Sequence, residues 1–287
     1  MLPQPLRTLA CLALKMLLPI AGLIAAPATH AAEVEIRVSS LVSATADFRP
    51  GETGKPAILL MHGFLQTREF AIIKSLTDAL AEAGYTVLSP TLSLNITYRK
   101  RSLSCDALHL HDMAGDLNEI ELWVHWLKSR GYQQITGIGH SFGAIQLLAW
   151  AEKHPDKDFS IIGISPMGST PFAAASQPDA KTLSKPGAEL LHAPLSYCET
   201  YTAPVAKYIS YQKWNEKRVL AAVRAAKCRT DLILGTEDKY QPHGWNQKLA
   251  DAGAEIHLIK GGNHFMDGTH EFDMLDTTLA ILKHTSP

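Results

Sequence analysis

The 287-residue sequence predicts an α/β fold, a mostly parallel sheet covered by helices on both faces. Two observations predict it. Short continuous apolar runs, such as Ala57 to Met61 and Phe159 to Ser165, are the mark of strands buried on both sides. Between such runs lie longer segments with apolar residues at helical spacing, and the two kinds alternate along the chain. A hydrophobic content of 46% supports one large core, so residues 32–287 are expected to form a single domain.

The elements follow in order. Glu33 to Phe48 alternates and turns, as one or two antiparallel edge strands would. Ala57 to Met61 is a buried strand. Arg68 to Ala83 places Phe70, Ile73, Leu76 and Leu80 on one helical face, and Gly84 closes it. Thr86 to Leu92 is the next strand. His111 to Arg130 is a helix carrying Met113, Leu117, Ile120, Val124 and Leu127, stopped by Gly131. Trp123 and Trp126 on it are expected to pack. Ile135 to Ile138 is a strand, Ala144 to Ala151 a helix ending near His154-Pro155, and Phe159 to Ser165 a strand. Thr230 to Gly235 and Ile256 to Ile259 complete the strands, with helices at Pro242 to Ala252 and Glu271 to His284.

One interval breaks the rhythm. From about 168 to 211 the chain carries Pro171, Pro178, Pro186, Pro194 and Pro204 with weak periodicity. A long irregular segment inside a compact domain is usually functional, and its place in the order suits a lid or cap. Tyr197, Tyr201, Tyr208 and Tyr211 either line an acyl pocket or pack the insertion onto the body.

The N-terminus reads as a secretory signal peptide over residues 1–31. Met1 to Arg7 is a short basic opening, Met16 to Ala26 is apolar apart from Pro19 and Gly22, and Thr29 and Ala31 suit cleavage after Ala31. Lys15 leaves the apolar stretch too short to span a bilayer, so no stable membrane anchor is expected after cleavage. An exported protein, periplasmic or extracellular, is the expectation. Losing Arg7 and Lys15 leaves 25 of the 27 basic residues against 28 acidic ones. No basic stripe remains, which argues against a nucleic-acid partner.

Three cysteines follow the leader. Cys228 directly precedes the apolar run Leu232 to Leu234 and is expected to be buried at a strand entrance. Cys105 and Cys198 fall in irregular segments on one face of the sheet, and a disulfide between them is expected in an oxidising compartment.

The chemistry centres on Gly139-His140-Ser141-Phe142-Gly143, between a strand and a helix. Gly-x-Ser-x-Gly in that setting is a nucleophile elbow: the turn is too tight for side chains at its outer positions, and it lifts the serine hydroxyl above the sheet. A serine needs a base, and the base needs an orienting acid. Asp238 follows the strand Leu232 to Leu234, and His264 follows the strand Ile256 to Ile259 behind Gly261-Gly262. Both emerge on the sheet edge that carries Ser141, where ligands bind in open α/β sheets. Asp238 is favoured over its neighbour Glu237. The amides of Phe64, after the turn His62-Gly63, and of Phe142 are candidate donors to an oxyanion. His62 itself reads as fixing its loop. His109, His111, Asp112 and Asp116 match no defensible metal pattern and are expected to form a solvated loop and helix start.

The elbow, the His62-Gly63 turn, Asp238 and His264 come in the order and spacing of the α/β-hydrolase-fold serine hydrolases, and the chain resembles that superfamily over nearly all its length beyond the leader. It departs from a common form only in having Ala144 where a third glycine often follows. The resemblance implies an eight-stranded, mainly parallel sheet and a two-step acyl-enzyme mechanism with no metal or organic cofactor. The expected activity is hydrolysis of a small-molecule carboxylic ester, falling in acid as His264 takes up a proton. Amide hydrolysis on the same fold and a non-catalytic binding protein are the alternatives.

Overall fold

The structure, a computed structural model, describes residues 31–170, 178 and 190–285. The leader expected over residues 1–31 lies outside them but for Ala31. The strands are β1 (Ala32–Arg37), β2 (Ser43–Arg49), β3 (Ala57–Met61), β4 (Thr86–Thr91), β5 (Ile135–His140), β6 (Phe159–Ile164), β7 (Leu190–Leu195), β8 (Cys198–Pro204), β9 (Thr230–Gly235) and β10 (Glu255–Ile259). The helices among the described residues are α1 (Ala71–Glu82), α2 (Met113–Lys128), α3 (Phe142–Lys153), α4 (Val205–Gln212), α5 (Glu216–Ala225), α6 (Trp245–Asp251) and α7 (His270–Thr285). None is long and apolar enough to cross a membrane.

Eight strands make one sheet in the order β1-β2-β4-β3-β5-β6-β9-β10. β1 and β2 pair antiparallel at one edge, β2 meets β4 antiparallel, and every other pairing is parallel. The apolar alternation of β3 shows why both faces are covered. Leu59 and Met61 join a core with residues of α2, α3, α5 and α6, while Ile58 and Leu60 join one with α1 and α7. Each such side chain contributes roughly 1.5–3 kcal/mol by leaving water. From β3 the chain passes through α1 to β4 on one side, then through α2 to β5 on the other. That reversal opens a crevice beyond the C-terminal ends of β3 and β5.

The expected lid interval is more regular than its sequence suggests. Residues 171–177 and 179–189 lie outside the described residues, but the rest holds the antiparallel hairpin β7-β8 and helix α4. The prolines that read as loop markers sit where they do no harm. Pro194 lies at the register shift between Ala193 and Leu195, and Pro204 caps the start of α4. Helix α5 escaped the sequence reading as well. Asn215 accepts from the Arg218 amide at 3.1 Å, and Val219, Ala222 and Val223 form its buried stripe.

Cys105 and Cys198 are disulfide-bonded with their Cα atoms 5.4 Å apart, as expected, although Cys198 opens β8 rather than lying in irregular chain. The bond ties the segment ahead of α2 to the hairpin. Because it joins residues 93 apart, the double variant Cys105→Ser/Cys198→Ser should lose about 2–4 kcal/mol of stability in urea denaturation. An unshifted midpoint would show the tie to be energetically idle. Cys228 is a free thiol, only half-buried rather than fully so, and burial pushes its pKa up.

Candidate active site

Ser141 stands between β5 and α3 with φ 54° and ψ −121°, a conformation non-glycine residues rarely adopt. Its surroundings hold it there. The Ser141 amide donates to the Ile164 carbonyl of β6 at 2.8 Å. A Cβ on Gly139 would come within 2.5 Å of the Ala144 amide nitrogen, and one on Gly143 within 2.5 Å of the His62 carbonyl oxygen. Glycine is therefore required on both sides of the serine for different reasons: one lets the turn close on itself, the other lets α3 lie against the end of β3.

The structure brings Ser141, His264 and Asp238 together. The Ser141 hydroxyl lies 3.0 Å from His264 Nε2, and His264 Nδ1 lies 2.8 Å from Asp238 Oδ2. All three are buried. Asp238 also accepts from the Tyr240 amide at 3.0 Å and from Gln241 Nε2 at 3.1 Å, so both its oxygens are held. Glu237 is exposed, which separates the two adjacent acids. The loop carrying His264 turns through Gly261 (φ 76°) and presses on the end of β9, where Gly235 has no room for a side chain against the Gly262 carbonyl. With its Nδ1–H directed to the carboxylate, His264 leaves a lone pair on Nε2 for the serine proton.

Phe64 and Phe142 are neighbours although they come from different elements: their rings meet edge to face at 5.3 Å. Neither amide has an acceptor among the described residues. Phe142 opens α3, so its N–H belongs to the helix end where anions are favoured. The Phe64 turn is held by His62, whose Nδ1–H donates to the Gly63 carbonyl at 2.8 Å and whose Nε2 accepts from the Leu92 amide at 3.1 Å. Burial, and then the charge of Arg99, push the His62 imidazole down to about 3, so it stays neutral and structural, as expected from the sequence.

Several contacts around the site went unread in the sequence. His140, wholly buried, donates from Nε2 to the His264 carbonyl at 3.0 Å and so fixes the base's loop from within the elbow. Burial pushes its imidazole down to about 3. Arg99 holds the chain beyond Phe64 through the carbonyls of Leu92 and Gln66, each at 2.7 Å. The Tyr197 hydroxyl donates to the Phe64 carbonyl at 3.0 Å. No motif marks these; they act through backbone carbonyls, which any sequence supplies.

One open sequence reading is decided and another changes. Tyr201, Tyr208 and Tyr211 are fully buried, with Tyr201 tilted against Phe64 and Tyr211 meeting it edge to face, so they pack the insertion onto the body beside the site, the second of the two readings. His109, His111 and Asp116 are not solvated: all three are buried and hydrogen-bonded in a chain with Tyr211. The hairpin folded over them removes the water that the sequence reading supposed. Asp112 does cap α2, accepting from the Gly115 amide at 2.8 Å, and Trp123 and Trp126 are packed in the core.

Comparison with known proteins agrees with the fold. The sequence model of the alpha/beta hydrolase family matches residues 58–273. A thermostable monoacylglycerol lipase of Bacillus sp. (strain H-257) is 28% identical over 235 residues, covering 77% of this chain and 87% of that protein. Epoxide hydrolase B of Mycobacterium tuberculosis is 30% identical over 135 residues, 46% of this chain and 33% of that one. Among solved structures, Est1E of Butyrivibrio proteoclasticus with ferulic acid bound superposes with a TM-score of 0.67 at 18% identity, covering 88% of this chain and all of that one.

Proposed function

The chain belongs to the alpha/beta hydrolase family, and on that premise we propose that it hydrolyses carboxylic esters through Ser141, His264 and Asp238. The observation that carries this reading is the unbroken line of hydrogen bonds from the Ser141 hydroxyl through the imidazole to the Asp238 carboxylate. As the serine oxygen attacks the ester carbonyl carbon, its proton passes to His264 Nε2, and Asp238 stabilises the imidazolium. The carbonyl oxygen, now carrying the negative charge, is taken by the amides of Phe64 and Phe142. Collapse expels the alcohol with the proton from His264. Water, deprotonated by the same imidazole, then releases the acid and restores the serine.

Similarity to a monoacylglycerol lipase favours an ester with an apolar acyl group. Export is part of the proposal. It rests on the leader's composition and on a disulfide, which persists in oxidising compartments. Labelling with a fluorophosphonate, followed by a chain-length series of p-nitrophenyl esters beside amino-acid anilides, tests the activity. Modification at Ser141 and turnover of esters alone are expected. Anilide turnover would make it an amidase, and an unmodified Ser141 in folded protein would make it a binding protein.

A further inference from the structure

Tyr211 and the polar residues behind it lie outside the triad, yet they meet the Phe64 and Phe142 rings beside it. The Tyr211 ring, fully buried on α4, touches the rings of both Phe64 and Phe142, at 5.5 and 5.8 Å. Its hydroxyl lies 2.7 Å from Asp116 Oδ2 of α2 and 2.6 Å from His111 Nδ1. His111 Nε2 lies 3.3 Å from His109 Nδ1, and His109 Nε2 lies 3.3 Å from the Cys105 carbonyl. At the other end Gln146 of α3 donates to Asp116 at 2.8 Å.

The direction of these bonds follows from one end. A carbonyl only accepts, so His109 Nε2 carries a hydrogen, and a neutral His109 then accepts at Nδ1. His111 therefore donates from Nε2 and, being neutral, accepts at Nδ1 from the Tyr211 hydroxyl. Burial supports both neutral rings, pushing His111 down to about 3 and His109 in the same direction. With its hydrogen given to His111, Tyr211 can only accept from Asp116, so the Asp116 carboxyl holds a proton. Burial pushes that carboxyl up to about 7, with the charge of Glu119 adding to it. Removing the proton would reverse every bond and leave His109 Nε2 bare against the Cys105 carbonyl.

We propose that this one-way chain makes Tyr211 a positioning residue for the Phe64 and Phe142 amides, and that its hold depends on a proton kept on Asp116. The proposal rests on those amides being the oxyanion donors. Asp116 is faced by Asp112, which caps α2, by Glu119 from α2, by Gln146 from α3, by Tyr211 from α4, by Tyr201 from β8 and by Arg99 from the loop after β4. Lys207 of α4 lines the cavity beside Asp116, and His109 and His111 reach the carboxyl through the Tyr211 hydroxyl. Asp116 reaches solvent through that cavity of about 260 Å³, shared with Ser93, Asp112, Glu119 and Lys207, so the proton can exchange.

The native carboxyl keeps its proton to about pH 7, whereas an unfolded aspartate releases it near pH 4, so the folded state holds more protons between the two. Stability is full below that window and falls as pH rises through it. Glu119, raised to about 7 by burial, adds a fall of the same sign.

The test is the pH dependence of kcat and KM on a short-chain p-nitrophenyl ester, with melting temperature over the same range. In the unmodified protein kcat should pass through a maximum and decline at least threefold by pH 9. Asp116→Asn should lose that decline, because its amide donates to Tyr211 at every pH, with Gln146 turned over to accept its second hydrogen. It should also show a smaller drop in melting temperature from pH 5 to 8. Tyr211→Phe, which keeps the ring, should lower kcat about tenfold at neutral pH with KM within twofold. A Tyr211→Phe variant at full kcat, or an alkaline decline that persists in Asp116→Asn, overturns the proposal while leaving Ser141 labelled. Absence of both turnover and labelling overturns the esterase reading instead, and this proposal with it.

Discussion

Ser141→Ala should abolish ester turnover, lowering kcat by roughly 10⁴- to 10⁶-fold with the fold intact. The oxygen removed is the one atom 3.0 Å from His264 Nε2, and nothing else in the triad can form the acyl bond. Alanine adds no bulk at φ 54°, and the Ser141 amide still bonds the Ile164 carbonyl, so melting temperature should change little. The residual rate would be that of water assisted by the oxyanion donors alone. A variant that turned over an ester within tenfold of the parent would remove Ser141 from the mechanism.

Asp238→Asn should cost about 10⁴-fold in kcat, with KM close to that of the parent. The substitution keeps shape and removes charge. An asparagine amide that donates to His264 Nδ1 forces the ring's hydrogen onto Nε2, where it faces the serine and cannot accept a proton. The amides of Tyr240 and Gln241 now hold the carboxylate, and one of them must also give up its bond when the amide turns its nitrogen toward the histidine. Glu237→Gln is the control: that side chain is exposed and should retain kcat within twofold.

Much of this was legible from the sequence because it depends on local rules. The parallel strands read as continuous apolar runs, and β3, β5, β6 and β9 are buried almost throughout. Ser141 and His264 were readable because their glycines have a geometric duty and their strands end on one edge. The cap was not. Its hairpin is built across a bulge at Pro194, and α4 begins directly after Pro204, so the prolines concealed elements they merely delimit. The relay behind Tyr211 was unreadable for another reason. His109 and His111 look solvated in a polar loop, and only the distant β8 and α4 show that they are covered. Long-range burial turns an ordinary polar stretch into a set of obligatory hydrogen bonds, and no spacing rule announces it.

The close approach of Gly143 to the His62 carbonyl has a wider consequence. Main chain rests on main chain there, so the spacing between the nucleophile helix and the turn after β3 is set by the absence of a single methyl group.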